Sequence, residues 1–279
     1  MPAACNMRRI IIAFPKGHRG LLLFLFIVLL ANSCDKTPVK PVFEGYPTVY
    51  HRLQTEVYNA RLAAFWARNP AVRSNIDAFG FCTSDAGNRS LPRDSFARVI
   101  TAQDALRQAK KFAAMNPDET GVADTSQLEI NQVDQYLASD GYYVTMLQCK
   151  IQYVDTLEVA YSHLSFRFEN DSLVECEGNW FPVICIPSAF RLNREQAVQG
   201  LLGQDDSYNG WNGPVERTIQ STDLENTTVT VCICQLNSSG NQIELHVAYR
   251  ILLYAAANIF YVDVMSGEII GREPKFSAK

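Results

Sequence analysis

The sequence carries four histidines, His18, His51, His163 and His246. Zinc peptidase chemistry needs two histidines one helical turn apart with a glutamate beside them. No two of these are spaced i, i+4, and none is followed by glutamate. A serine nucleophile on an elbow would need Gly-x-Ser-x-Gly, which does not occur. His163 and His246 fall singly in strand-like patterns, the usual setting of a structural histidine. Glu175 and Glu177 alternate and share one strand face, the arrangement of an acid/base pair. With no histidine or arginine close by in sequence, they read as a solvated face. No catalytic residue, metal site or cofactor is therefore expected, and the protein is read as a non-enzyme.

Sulfur is the other reactive element. Eight cysteines are many for a reducing cytosol, and no Cys-x-x-Cys pair occurs. Six lie in the body of the chain: Cys82, Cys149, Cys176, Cys185, Cys232 and Cys234. They allow fifteen pairings, and at least one disulfide is expected in an oxidising compartment. Cys232 and Cys234 share a strand face at about 7 Å, too far for an unstrained bond between them. Some of the six could instead be buried thiols acting as small apolar groups. Tyr208 and Trp211 sit in a polar, glycine-containing loop. Aromatics there can anchor a partner or a glycan face, or pack over a domain edge.

The elements that must position these residues begin with a leader. Residues 1–20 are basic, and Leu21–Ala31 is an unbroken apolar run. That run is too short to span a bilayer and suits a secretory signal. It ends Leu30-Ala31-Asn32-Ser33-Cys34, which resembles the lipobox of bacterial lipoproteins, although Ala31 stands where that family prefers leucine. The resemblance implies lipidation of Cys34 after removal of residues 1–33. The alternative is cleavage at Ala31-x-Ser33, with Cys34 an ordinary cysteine. Several acyl chains on one residue would anchor firmly, since each buried methylene contributes about 0.8 kcal/mol.

Residues 34–47 read as a proline-bearing tether. Two helix-then-strands runs follow, over 48–190 and 191–279. The first has helical spacing over Tyr50–Asn69 and again from the capping Thr101 to Met115. Strands are expected at Tyr142–Val154, Val159–Phe168 and Ser172–Cys176, with a turn at Asn170-Asp171. The second run has a helix capped by Asn193 and strands at Thr227–Gln235, Gln242–Ala255, Ile259–Val264 and Glu268–Gly271. This order argues an α+β protein of two similarly built units.

Residues 142–272 resemble the FTP and PepSY propeptide domains of thermolysin-like secreted metallopeptidases. The FTP-like part runs through Gln148–Tyr153, Leu157-Glu158-Val159, Leu164–Phe168 and Asn170–Gly178. The PepSY-like part joins Leu192–Ala197 to Leu245–Leu252 and to Phe260–Ile270, with its Val-Asp-x-x-x-Gly-Glu turn at Asp263 and Gly267. The resemblance implies two cystatin-like units, each a helix on a curved antiparallel sheet. It also implies a domain that assists or inhibits a peptidase, here in trans because no catalytic segment follows Lys279.

The charge balance agrees with a protein partner. The chain has 25 basic and 29 acidic residues, and residues 34–279 keep 21 basic against the same 29 acidic. A net negative field disfavours nucleic acid. The expectation is a membrane-anchored lipoprotein of the bacterial cell envelope, inner or outer membrane unspecified, that binds an exported peptidase or another envelope protein. The alternative is an envelope module that binds glycans or small ligands through Tyr208 and Trp211. The leader supplies the first test. Labelled palmitate should enter the wild type and not Cys34→Ala, and only the wild type should sediment with membranes; an unlabelled, soluble wild type would remove the anchor.

Overall fold

The computed structural model describes residues 45–84, 98–210, 213–238 and 240–275. The leader, Cys34 and Trp211 lie outside the described residues. The chain opens with β1 (Thr48–His51), α1 (Thr55–Arg68), β2 (Asn75–Ile76) and β3 (Cys82–Thr83). Helices α2 (Ala102–Met115) and α3 (Pro117–Thr120) precede a strand run: β4 (Ile130–Leu137), β5 (Tyr143–Cys149), β6 (Tyr153–Val154), β7 (Leu157–Val159), β8 (His163–Glu169) and β9 (Ser172–Asn179). Then come α4 (Arg194–Gln199), the short hairpin β10 (Tyr208–Gly210) and β11 (Gly213–Val215), and the long strands β12 (Thr227–Ser238), β13 (Gln242–Leu253), β14 (Asn258–Asp263) and β15 (Ile269–Pro274). Few helices beside largely antiparallel sheets make the protein α+β.

The smaller sheet has the order β4-β5-β8-β9. Helix α2 starts where Thr101 Oγ1 accepts the Asp104 amide at 3.1 Å, the expected cap. Its buried residues Ala105, Ala109, Phe112 and Ala113 recur at helical spacing. Three of the four are alanines, so the helix can lie close on the sheet. Phe112 meets Phe166 of β8 edge-on at 6.3 Å and Phe65 of α1 at the same distance. Leu147, Leu164, Phe166, Phe168 and Cys176 supply the sheet's side of this core. The ends of α1 and α2 are joined by Asn69 and Asn116, whose buried amides bond reciprocally at 2.8 and 3.2 Å.

The larger sheet has the order β15-β14-β13-β12-β7-β6. β13 pairs with β12 along its whole length and gives its other edge first to β1 and then to β14. β7 joins β12 in parallel. Ala197 and Leu201, in and just after α4, pack on Ile233, Val247, Tyr249 and Phe260 of this sheet. The capping box expected at Asn193 is present, with Gln196 reciprocating.

Three sequence expectations are altered by the traffic between sheets. The first helix begins at Thr55, because Thr48–His51 are taken as a strand by β13. Tyr142–Val154 is split, since β5 ends in the small sheet and the chain crosses to place β6 and β7 in the large one. Val159–Phe168 is split by the return, through a turn in which Tyr161 has φ 64°. Buried Gln152 closes the base of this excursion by bonding both the Phe181 carbonyl (2.7 Å) and the Phe181 amide (2.9 Å). β1, β6 and β7 all precede residue 190 yet belong to the larger sheet, whose other strands follow it.

The core arrangement has a direct consequence. Phe166→Ala, at a fully buried ring between α2 and the sheet, should cost about 3–5 kcal/mol in urea unfolding. Tyr254→Ala, at a ring that is 85% exposed, should change stability by less than about 0.5 kcal/mol.

Candidate functional site

The conspicuous turn of the sequence folds into a buried polar node. Asp263, at the end of β14, is 2% exposed. Its Oδ1 accepts the amides of Met265 (2.8 Å) and Ser266 (2.6 Å), which shapes the turn into β15. Its Oδ2 accepts the Tyr46 hydroxyl at 2.6 Å and His246 Nδ1 at 2.7 Å. Gly267 closes the turn at φ 75°, and a Cβ there would come within 3.0 Å of Leu192. The positive φ favours glycine, and any Cβ there would also make the Leu192 side chain shift.

The other ring nitrogen of His246 faces Glu244 at 3.0 Å. Burial pushes the imidazole's pKa down, but the hydrogen bonds to Asp263 and Glu244 outweigh it and hold the value above the usual range. Burial likewise pushes Asp263 up, and the bonds from His246, Tyr46 and the turn amides hold it at about 2. With both nitrogens donating to carboxylates, the ring has no lone pair for a nucleophile's proton. The Asp–His pair here is architectural.

The remaining sequence-named residues are dispersed. His163 is exposed, and its Nδ1 faces the Tyr161 carbonyl at 3.3 Å. Glu175 and Glu177 do share a face, but it is not bare. Arg167 lies 3.9 Å from Glu175 and 3.2 Å from Glu169, and Ser165 donates to Glu177. Arg167 comes from the neighbouring strand, which sequence proximity could not show. Tyr208 is 40% exposed on the β10–β11 hairpin; its proposed companion Trp211 is outside the described residues. The six body cysteines are free thiols, and among the described residues no group of three or more metal-ligating side chains converges.

A shallow basin of about 440 Å³ lies beside β7, β13, β14 and β15. Tyr161, Tyr261, Glu273, Arg250, Glu158 and His163 contribute to its wall. Glu273 accepts both tyrosine hydroxyls, and the two hydroxyls are 3.1 Å apart. Burial and the carboxylate hold both phenols protonated, Tyr161 up to about 12. The two phenols bring neutral hydroxyls and aromatic edges to the basin. Tyr161 gives no sequence signal, because only its left-handed turn brings it over β14.

The end strands of the two larger sheets differ in how they are protected. β9 is covered: the Arg73 amide bonds the Val174 carbonyl at 2.7 Å, and Ser74 Oγ bonds the Cys176 carbonyl and amide at 2.8 and 2.6 Å. β6 is two residues long. β15 ends in Arg272-Glu273-Pro274, charged and unable to donate at its last residue. β4 has eight residues, Ile-Asn-Gln-Val-Asp-Gln-Tyr-Leu, with no lysine or proline and one charge. Among the described residues no strand pairs with its outer edge. Tyr136 and Leu137 at its end are 52% and 57% exposed. This strand is absent from the sequence expectations, because its polar residues show neither alternation nor an apolar run.

No protein-family model and no curated protein matches the chain. Among solved structures it is similar to the Bacillus megaterium YpeB C-terminal domain, at 12% identity, over 81% of this chain and 100% of that one. The TM-score of 0.29 is too low for this likeness to bear on architecture or activity.

The Asp263–His246 pair makes stability pH-dependent at both ends. A depressed carboxylate stabilises above its unfolded value near 3.9 and loses that contribution as pH falls towards about 2. A raised imidazole stabilises below its unfolded value near 6.5 and loses that contribution as pH rises through the folded one. Wild-type resistance to urea should therefore peak between about pH 4 and 6.5. Asp263→Asn should lower that peak by roughly 2 kcal/mol and flatten both limbs. Urea titrations at half-unit pH intervals would check this, and unchanged slopes would remove the pair as their cause.

Proposed function

We propose that this is a non-enzymatic, lipid-anchored protein of the bacterial cell envelope that binds an extended segment of an exported peptidase or another envelope protein along β4. The observation that carries the reading is the β4 edge, which no described strand covers and which has neither lysine nor proline. An exposed strand edge is a template for another chain, and natural sheets ordinarily blunt it with lysine, proline, bulges or brevity. Three margins are blunted by cover, brevity, or charge and proline; β4 carries a register shift between Ile130 and Gln132, but its Gln132–Leu137 stretch has neither lysine nor proline. A partner strand laid there would gain main-chain hydrogen bonds, with Tyr136 and Leu137 offering side-chain contacts at one end.

Helix α2 on β4-β5-β8-β9 and helix α4 on β12–β15 are each a helix followed by antiparallel strands. We take them as two cystatin-like units of the FTP and PepSY type. Saturated ring nitrogens on His246 and fully protonated tyrosines support the absence of catalysis. The two-tyrosine basin favours a second reading, a glycan or small-ligand module, with Tyr161 and Tyr261 in the part first assigned to Tyr208 and Trp211.

The test uses the full chain in detergent with an exported peptidase of the same cell. Hydrogen exchange of the amides of residues 130–137 should slow at least tenfold on complex formation. Tyr136→Lys with Leu137→Glu should weaken binding by about tenfold or more, about 1.4 kcal/mol, without changing the urea midpoint. The chain alone should cleave neither casein nor peptides. Binding that leaves β4 exchange unchanged would overturn the edge reading. Slowing that appears without partner and depends on the chain's own concentration would replace the partner with a second copy. Glycan binding abolished by Tyr161→Ala, with no protein bound, would favour the second reading.

A further inference from the structure

Six body cysteines admit fifteen pairings, and the tertiary structure separates them into groups that cannot meet. Cys232 and Cys234 lie on β12 opposite Ala248 and His246, and their sulfurs pack with Ala248 and Tyr261. That is the face of the large sheet opposite Ile233, which packs in the main core with α4. As i, i+2 neighbours they cannot bridge each other without strain. Cys185 is held by the Thr48 hydroxyl through its amide at 2.7 Å, and its sulfur lies against the Gly45 backbone. Its neighbours Ile184 and Ile186 pack on the α4 face of the large sheet.

Cys82, Cys149 and Cys176 share the other core, under α2. Cys149 is on β5 and Cys176 on β9, with β8 between them. Leu147 faces Phe166, which faces Cys176, so Cys149 lies two strands across and two residues along from Cys176. Two strand spacings alone are about 9.5 Å, beyond the Cα separation of a disulfide. Cys82 is different. Its strand partner Ile76 follows Ser74, and Ser74 Oγ is bonded to both the amide and the carbonyl of Cys176. β3 is thereby laid on β9, and Cys82 and Cys176 are buried side by side in the core under α2.

We infer that Cys82 and Cys176 are the pair that closes a disulfide when the chain folds under oxidising conditions, stapling the β2–β3 segment to the last strand of the small sheet. The bond forms by two exchanges with a small or protein disulfide. One cysteine thiolate attacks that disulfide, forming a mixed disulfide and releasing one thiolate. The second cysteine attacks the protein sulfur of the mixed disulfide and releases the other. Two electrons and two protons pass from the cysteines to the oxidant, which departs as two thiols. Timing follows from burial. Cys82 is 3% exposed and Cys176 fully buried, and burial strongly disfavours the Cys176 thiolate. Closure therefore belongs to the folding chain, before α2 seals the core, and the folded dithiol is inert.

The test refolds the full chain from urea in detergent with oxidised and reduced glutathione, then alkylates in denaturant and maps peptides without reduction. The expected result is one linkage, Cys82 to Cys176, with the other four of the six cysteines alkylated. The natively folded, reduced chain given the same glutathione should stay unlinked. The oxidised wild type should unfold at a higher urea concentration than the reduced wild type, a shift absent from Cys82→Ser and Cys176→Ser. Wild type compared with itself keeps the test valid if either variant fails to fold. Refolded protein with all six cysteines alkylated, or with another pair dominant, would overturn the assignment.

Discussion

The buried carboxylate of Asp263 gathers three stretches of chain that are remote in sequence. Tyr46 arrives just before β1, 217 residues away, His246 comes from β13, and Met265 and Ser266 belong to the turn that follows. An ionised carboxylate out of water must be heavily solvated by the protein. Here two amides, a phenol and an imidazole do this together. The same bonds set the turn into β15 and bring Tyr46 up beside β13, whose edge β1 then occupies. Tyr46 also exchanges bonds with the Val247 carbonyl and amide, at 3.2 and 3.0 Å. Loss of the charge would thus loosen the entry of the chain and its final hairpin at once.

From this node the large sheet is built outward, and the small sheet is attached to it by continuous chain. The β6–β7 excursion leaves the small sheet after Cys149, adds two short strands to the large one and returns at Tyr161. Gln152 satisfies its own amide group against Phe181 at the crossing. Each boundary of the small sheet then acquires a distinct chemistry. β9 is sealed by Arg73 and Ser74 and carries the sulfur of Cys176 against Cys82. β4, on the opposite margin, presents main-chain groups and two exposed apolar side chains. One edge is closed by the chain itself, and the other has no strand paired to it among the described residues.

In the polar clusters the titratable groups bond chiefly to one another, although Arg167 Nε is buried without a hydrogen-bond partner. Asp263 and Glu244 occupy both nitrogens of His246, Glu273 occupies Tyr161 and Tyr261, and Arg167 bridges Glu169 and Glu175. A catalytic group needs a free lone pair or proton aimed at substrate. Mutual bonding of this kind instead gives rigidity.

The sequence by itself determined the local features whose cause is local. Thr101 and Asn193 cap their helices because a side-chain oxygen reaches an amide three residues on. Asn170 turns the β8–β9 hairpin with φ 54°, and Gly267 turns the last one, because few residues tolerate that conformation. The α+β order followed from two changes of hydrophobic period. Tertiary structure decided what depends on neighbours brought from afar. Thr48–His51 became a strand because β13 had a free edge, and two expected strands broke because the chain changes sheets. β4 formed from polar residues because β5 supplied its hydrogen bonds, a partner no periodicity encodes. Glu175 acquired Arg167 across a strand pair, and Cys82 met Cys176 because Ser74 ties their strands together. Propensities act over a few residues, whereas the pairing of edges, charges and thiols is fixed only when the cores under α2 and α4 close.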